Sequence, residues 1–272
     1  MALENKFRTA LSERNLAIGT WLQSGSVEAC ETAAKAGMDF NLIDMEHGHF
    51  GFETAVNMLR GSQCFGAATI LRVPAPTPHF IMQALDAGAD GVIIPNVGSA
   101  KVVESAVVSA KYGPGGRRGA CPCVRATGHG VTDWDEYLDY CDENITVACI
   151  IETVEGVENF DEIIAVDGLD FIALGSVDLT VAMGHRGDYK RPEITTIFER
   201  LVDKALARGI DLMVGTFAYD PEAIAKHLEY WTARGVRVHN LSGDRFMMSA
   251  AFSGITSTAS RFARPGIRAG AE

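Results

Sequence analysis

Several short apolar runs in the chain end in residues that can do chemistry. FNLID closes on Asp44 and is followed by Glu46 and His47, ATILR closes on Arg72, VACII is followed by Glu152, and FIALGSV is followed by Asp178. Two carboxylates after neighbouring strands, at one height, form a hard-oxygen site with open positions. Such a site suits Mg²⁺ or Mn²⁺, with Co²⁺ possible, and leaves further ligand positions to water and substrate. A 2-oxo acid fits these positions through its keto and carboxylate oxygens, and a bound ion stabilises the enolate formed when a C3 proton or a C3–C4 bond is lost. The alternative is that each acid merely favours the helix start that follows it.

Arg72 offers a second positive charge for an enolate oxygen, or else an internal ion pair with Asp44 or Glu46. His47 is the acid/base candidate, since imidazole titrates near neutrality and Asp44, three residues earlier, is placed to orient it. A Schiff-base mechanism needs a lysine inside the site. Lys35, Lys101, Lys111, Lys204 and Lys226 fall in helical segments and Lys6 and Lys190 in polar ones, so the metal route is expected.

Positioning these groups requires strands that end at a common level. Eight β-rich runs alternate with amphipathic stretches: Ala17 to Leu22, Phe40 to Met45, Ala68 to Val73, Gly91 to Val97, Val147 to Thr153, Phe171 to Val177, Asp211 to Phe217 and Val236 to Ser242. The segments VEACETAAKAG, PHFIMQALDAG and SAKVVESAVVSAKYG place apolar residues at helical spacing and stop at glycine, the residue suited to a left-handed cap. Eight βα units predict a (β/α)8 TIM barrel over residues 1–262, with 263–272 a flexible tail. An open doubly wound sheet is less suited, because no GxGxxG opens the first helix. Gly113 to Thr146 is an overlong connection, expected beside the substrate entrance. Its GPGGRRG lacks the ending of a phosphate-binding loop and is expected to position Arg117 or Arg118. No repeat is evident beyond the βα unit.

With 47% hydrophobic and 22% charged residues the chain can bury a substantial core. The balance of 24 basic and 35 acidic residues, a net −11, gives no global attraction to nucleic acid or to an anionic membrane. The amino-terminal MALENKFRTALSERN lacks the apolar core of a signal peptide, and no apolar run approaches a membrane span. Six cysteines without CxxC spacing predict reduced thiols and a cytoplasmic location; the alternative for Cys121-Pro-Cys123 is a metal or redox pair.

Through GTWL, LIDMEHG, LRVP, LDAGADGVIIPNV, the Gly-Arg-Arg-Gly turn, IIET and LGSVDLTVAMGH, the chain resembles the HpcH/HpaI aldolases, class II pyruvate aldolases of the pyruvate/phosphoenolpyruvate barrel type. The resemblance runs from about Gly19 to residue 250. It implies metal ligation by Glu152 and Asp178, a His47–Asp44 dyad acting through water on the metal, enolate stabilisation by Arg72, and a substrate carboxylate held by the N–H groups of Val177 and Asp178. It places Asp86 at a neighbouring subunit's site and implies a homo-oligomer, commonly a hexamer. Trp21, Ile150, Ser176 and Arg125 complete the expected substrate-binding set.

The chain departs from the family pattern at Ile150, where glutamine is common, at Gly175-Ser176-Val177-Asp178 in place of Gly-Pro-Ala-Asp, and at Tyr112-Gly113-Pro114 in place of Tyr-Pro-Pro. The expected reaction is aldol cleavage or formation of a 4-hydroxy-2-oxo acid from pyruvate and an aldehyde. The alternatives are a citrate-synthase-like or decarboxylating use of the same enolate, and a non-catalytic oxo-acid-binding barrel.

Overall fold

Each predicted strand forms, and all eight pair in parallel in sequence order, with β8 returning to β1 to close the barrel. The computed structural model describes residues 5–130 and 133–263. The strands are β1 (Ala17–Leu22), β2 (Phe40–Asp44), β3 (Ala68–Arg72), β4 (Gly91–Ile94), β5 (Thr146–Ile151), β6 (Phe171–Leu174), β7 (Asp211–Thr216) and β8 (Val238–Gly243). The helices are α1 (Lys6–Arg14), α2 (Val27–Lys35), α3 (Phe52–Cys64), α4 (Pro78–Asp86), α5 (Ala100–Ala110), α6 (Trp134–Asn144), α7 (Val154–Glu158), α8 (Phe160–Ile163), α9 (Ser176–Ala182), α10 (Pro192–Leu206), α11 (Pro221–Thr232) and α12 (Asp244–Ser260). Beyond Ala263, the expected flexible tail lies outside the described residues.

Alternation along the strands separates two cores. Residues such as Phe40, Leu42, Ile70, Ile150, Phe171 and Met213 point inward and fill the barrel. Their neighbours, such as Ile43, Leu71, Cys149 and Ile172, point outward into the larger layer shared with the helices. Gly19 makes the inner packing possible, because a Cβ there would lie 2.3 Å from the Phe40 ring. Helix α1 plugs the amino-terminal end. Phe7 packs edge-on against Phe40, ring centres 5.4 Å apart, and tilted against Phe171 at 5.3 Å, while Asn5 caps the helix through the N–H groups of Phe7 and Arg8.

The strands are also clasped two by two, a repeat twice the length of the βα unit that the sequence analysis recognised. Gly37, Gly88, Gly168 and Gly235 all have φ between +87 and +103°, which glycine adopts at little cost. Two residues after the first three stand Asp39, Asp90 and Asp170. Their carboxylates accept the backbone N–H of Ile18 at 2.9 Å, Thr69 at 2.7 Å and Val147 at 2.7 Å, tying β1 to β2, β3 to β4 and β5 to β6. After Gly235 the corresponding residue is Arg237, which reaches Asp211 on β7 at 2.8 Å. The double repeat runs round the whole barrel.

Other expectations are corrected. Strand β4 stops at Ile94, and Asn96 turns the chain with φ +54°. Strand β6 stops at Leu174, Gly175 caps α9, and Asp178 lies in the first turn of that helix rather than at a strand end. Helix α5 ends through extended Lys111, with no left-handed glycine. The long connection after α5 does not lie beside the substrate entrance. It runs from helix to strand, so it lies at the amino-terminal end of the barrel, where Arg118 bonds Asp86 at 2.7 Å and Arg125 bonds the Ala87 carbonyl at 2.9 Å.

Candidate active site

The carboxyl ends of the strands surround a cavity of about 580 Å³, a size suited to a small-molecule site. Trp21 of β1, His47 after β2, Arg72 of β3, Ile150 and Glu152 of β5 and its end, Ser176, Val177 and Asp178 of α9, and residues of β7 and β8 line it. Closure at this end is reinforced by Asp244, which accepts the N–H groups of Gln23 and Ser24, both at 3.0 Å.

Arg72 is held from three sides. Its Nε donates to Asp44 Oδ1 at 2.7 Å and its Nη2 to Asp44 Oδ2, its Nη1 lies 2.9 Å from Glu46 Oε2, and the guanidinium stacks over Trp21 at 4.3 Å. Both ion pairs raised as alternatives for Arg72 therefore form. Asp44 is fully buried. Burial alone raises its pKa, but the hydrogen bond and charge of Arg72, with Gln23 and the His47 N–H, outweigh it and hold the carboxyl below its ordinary value. Gln23 Nε2 donates to the same carboxylate at 2.6 Å.

Asp44 does not orient the His47 ring as expected. It accepts the backbone N–H groups of Glu46 at 3.0 Å and His47 at 3.2 Å, which folds the following turn back onto the carboxylate. The imidazole instead stands at the cavity mouth, its Nε2 4.0 Å from Glu46 Oε2.

Glu152 is buried at the end of β5 and accepts the N–H of Asn96 at 2.8 Å, while the Asn96 amide donates to Glu46 Oε1 at 2.8 Å. Burial raises the Glu152 pKa to about 7; Asn96 and Arg72 oppose the rise, and the charges of Asp178 and Glu46 add to it. Three acids thus converge, and Glu46 Oε2, although beside Arg72, lacks an aligned hydrogen bond. Among the described residues no set of three or more protein ligands is preassembled. Two carboxylates on the cavity wall with room for water and substrate fit a hard divalent ion.

Of the expected substrate-binding set, Trp21, Arg72, Ile150, Ser176, Val177 and Asp178 line the cavity, and Arg125 does not. Arg125 bonds Gln63 Oε1 at 2.7 Å at the opposite end of the barrel. Asp86 is there too, paired with buried Arg118; Arg117 is exposed. No lysine lines the cavity. Sequence reasoning missed Gln23, Asn96, Asn240, Ser242 and Arg245. Polar residues at alternate positions 240 and 242 of a barrel strand are a legible signal, but only once the inward register is known.

The family model described as HpcH/HpaI aldolase/citrate lyase matches residues 17–242. The chain is 34% identical over 219 residues to a 2-dehydro-3,6-dideoxy-6-sulfogluconate aldolase of Pseudomonas putida, covering 80% of this chain and 84% of that one. It is 30% identical over 255 residues to a hydroxypyruvate/pyruvate aldolase of Cupriavidus necator, covering 93% and 94%. The crystal structure of an HpcH/HpaI aldolase from Desulfitobacterium hafniense DCB-2 superposes with a TM-score of 0.87 at 26% identity, covering 96% of this chain and 98% of that one.

Proposed function

The chain belongs to the HpcH/HpaI aldolase/citrate lyase family, and from that premise we propose that it is a divalent-metal-dependent aldolase joining pyruvate, or a similar small 2-oxo acid, to an aldehyde, and cleaving the 4-hydroxy-2-oxo acid product. The observation that carries this reading is the gathering of Glu152, Asp178, Arg72 and His47 around one cavity that no lysine lines. Glu152 and Asp178 are the residues to hold the ion, Mg²⁺ or Mn²⁺ with Co²⁺ possible. When bound, the ion supplies Lewis-acid stabilisation of charge developing on a keto oxygen.

The chain's own groups do the rest. Arg72, fixed by Asp44 and Trp21, presents preorganised positive charge to the enolate oxygen. In cleavage, the His47 ring takes the C4 hydroxyl proton, the C3–C4 electron pair moves into the C2–C3 bond as the aldehyde leaves, and a proton then returns to C3 of pyruvate. Val177 and Asp178 stand in the first turn of α9, where N–H groups lack intrahelical acceptors, and are assigned the substrate carboxylate, with Ser176 beside them.

Pyruvate release from 4-hydroxy-2-oxo acids, coupled to lactate dehydrogenase, tests the reading. Activity is expected to vanish in excess EDTA and return with Mg²⁺ or Mn²⁺. Full turnover in EDTA, or trapping of a pyruvate adduct by borohydride, overturns it.

The proposed assembly is a homo-oligomer, a hexamer on family resemblance. Exposed Phe252, Ile255 and Phe262 on and just after α12 support an assembled state. The six cysteines are unpaired, which supports the cytoplasmic reading. No helix among the described residues is long and apolar enough to cross a membrane.

A further inference from the structure

Among the described residues, five charged or titratable side chains line the cavity, and the proposed reaction employs His47, Arg72, Glu152 and Asp178. Arg245 is the fifth. It stands in the first turn of α12, partly exposed, and its Nη1 donates to the His47 carbonyl at 3.3 Å. No carboxylate among the described residues pairs with its guanidinium. Its neighbour Asp244 is taken by the N–H groups of Gln23, Ser24 and Arg245 and by the Ser24 hydroxyl. Across the cavity Asp44 and Glu46 hold Arg72, and Glu152 accepts from Asn96.

Two features of this arginine suit an anion. A cation in the first turn opposes the dipole of its own helix, so nothing in α12 itself accounts for the charge. Its guanidinium carries five N–H donors in a fixed fork, and the one protein bond it makes is long. The chemistry assigned above also fixes where the acceptor lies. The oxo acid sits against Glu152, Asp178 and the first turn of α9, and the His47 ring serves the C4 hydroxyl, which is the former aldehyde oxygen. The cavity floor is closed by the inward-facing Ile150, Ala173 and Met213, so acceptor carbons beyond C4 continue past His47 to the mouth. Arg245 is bonded to the backbone of that same residue, and its charge borders this path.

We propose that Arg245 binds an oxyanion at the far end of the acceptor, so that the enzyme prefers aldehydes ending in a carboxylate or phosphate to neutral aldehydes of the same chain. The inference rests on the aldolase reading and names its substrate class. The cavity then holds two anions, the oxo-acid carboxylate at the first turn of α9 and the second anion at Arg245 on α12. A neutral aldehyde leaves the guanidinium to water, whereas an oxyanion accepts charge-assisted hydrogen bonds from the fork.

The test compares kcat/KM at fixed pyruvate for two matched pairs, succinic semialdehyde with butanal and D-glyceraldehyde 3-phosphate with D-glyceraldehyde, in the wild type, Arg245→Gln and Arg245→Lys. In at least one pair the wild type is expected to favour the anion, and the anion-to-neutral ratio to fall about tenfold in Arg245→Gln and to recover in part in Arg245→Lys. The pair that responds tells a carboxylate from a phosphate. The wild-type ratio is also expected to fall as salt is raised, because the guanidinium is partly exposed, and this arm needs no variant to fold. Ratios that neither Arg245→Gln nor salt alters overturn the proposal, as does a rise in the pyruvate KM of Arg245→Gln with both ratios intact, which places Arg245 at the oxo acid. Exchange of the pyruvate methyl protons in D₂O without aldehyde separates the two levels. Its absence in the wild type overturns the aldolase reading and the anion site together, whereas exchange with unresponsive ratios overturns the anion site alone.

Discussion

Asp44 serves the candidate site by holding Arg72, and this gives its substitution a predictable cost. Both residues are almost entirely buried, so Asp44→Ala leaves a guanidinium without its bidentate partner in a place water scarcely reaches. Breaking a buried pair from one side typically costs about 3–5 kcal/mol. Urea unfolding is expected to show a loss of that size together with loss of pyruvate release, and a loss below about 1 kcal/mol counts against the role. Ile150 is the complementary case, a buried apolar side chain on the cavity wall where the family commonly has glutamine. Ile150→Gln adds a contact of the kind worth about 0.5–1.5 kcal/mol, so metal dependence is expected to persist while preference shifts toward unsubstituted pyruvate over a bulkier 2-oxo acid. Unchanged relative kcat/KM for the two acids removes Ile150 from specificity. At this scale the sequence displayed Arg72, Glu152, Asp178 and His47, because each follows an apolar run. It did not display the partner of the His47 ring, since whether Asp44 meets a ring or a backbone N–H depends on a turn that Arg72 and Gln23 shape from other strands. Nor did it display Asn240, whose inward direction depends on the register of β8.

Among the elements, α1 tests how far the barrel depends on its plug. The helix is short and weakly amphipathic in sequence, KFRTALSER, and nothing in its period marks it as part of a core. Phe7 nevertheless closes the amino-terminal end against Phe40 and Phe171. Removing a buried phenylalanine side chain typically costs about 3–5 kcal/mol, so Phe7→Ala is expected to lower the urea midpoint accordingly; a change within about 1 kcal/mol shows the plug to be dispensable. The strands were legible because a barrel interior and a helix layer both demand apolar residues, and the eight runs stood out. Their ends were less legible. Polar SVD after FIALG reads as a strand end, yet Gly175 starts a helix there, and Asp178 gains its place from that helix's first turn. The long connection after α5 was visible by length, but its end of the barrel was not, because only the intervening helix decides it.

For the molecule as a whole, stability against pH is set by buried groups of opposing sign, so a single group has to be isolated by difference. His239 on β8 faces outward into the helix layer and is fully buried. Its Nε2 lies 3.2 Å from the Val236 carbonyl and its Nδ1 3.4 Å from His227 Nε2 on α11. Burial, with the nearby His227, lowers its pKa from 6.5 to about 4. The unfolded chain therefore takes up a proton near pH 6.5 that the folded chain refuses until about pH 4. The stability tied to neutral His239 is full above the unfolded value and is lost as pH falls across that window. Asp90 acts the other way: burial raises its pKa to about 6, so protonation at falling pH favours the fold and masks the histidine in the wild type. Comparing the wild type with His239→Gln cancels Asp90. The stability of the wild type relative to the variant is expected to fall by about 2 kcal/mol between about pH 7.5 and about pH 5, most of it below pH 6.5. Paired urea titrations at several pH values measure it, and a difference that stays constant with pH shows that His239 titrates alike in the folded and unfolded chains.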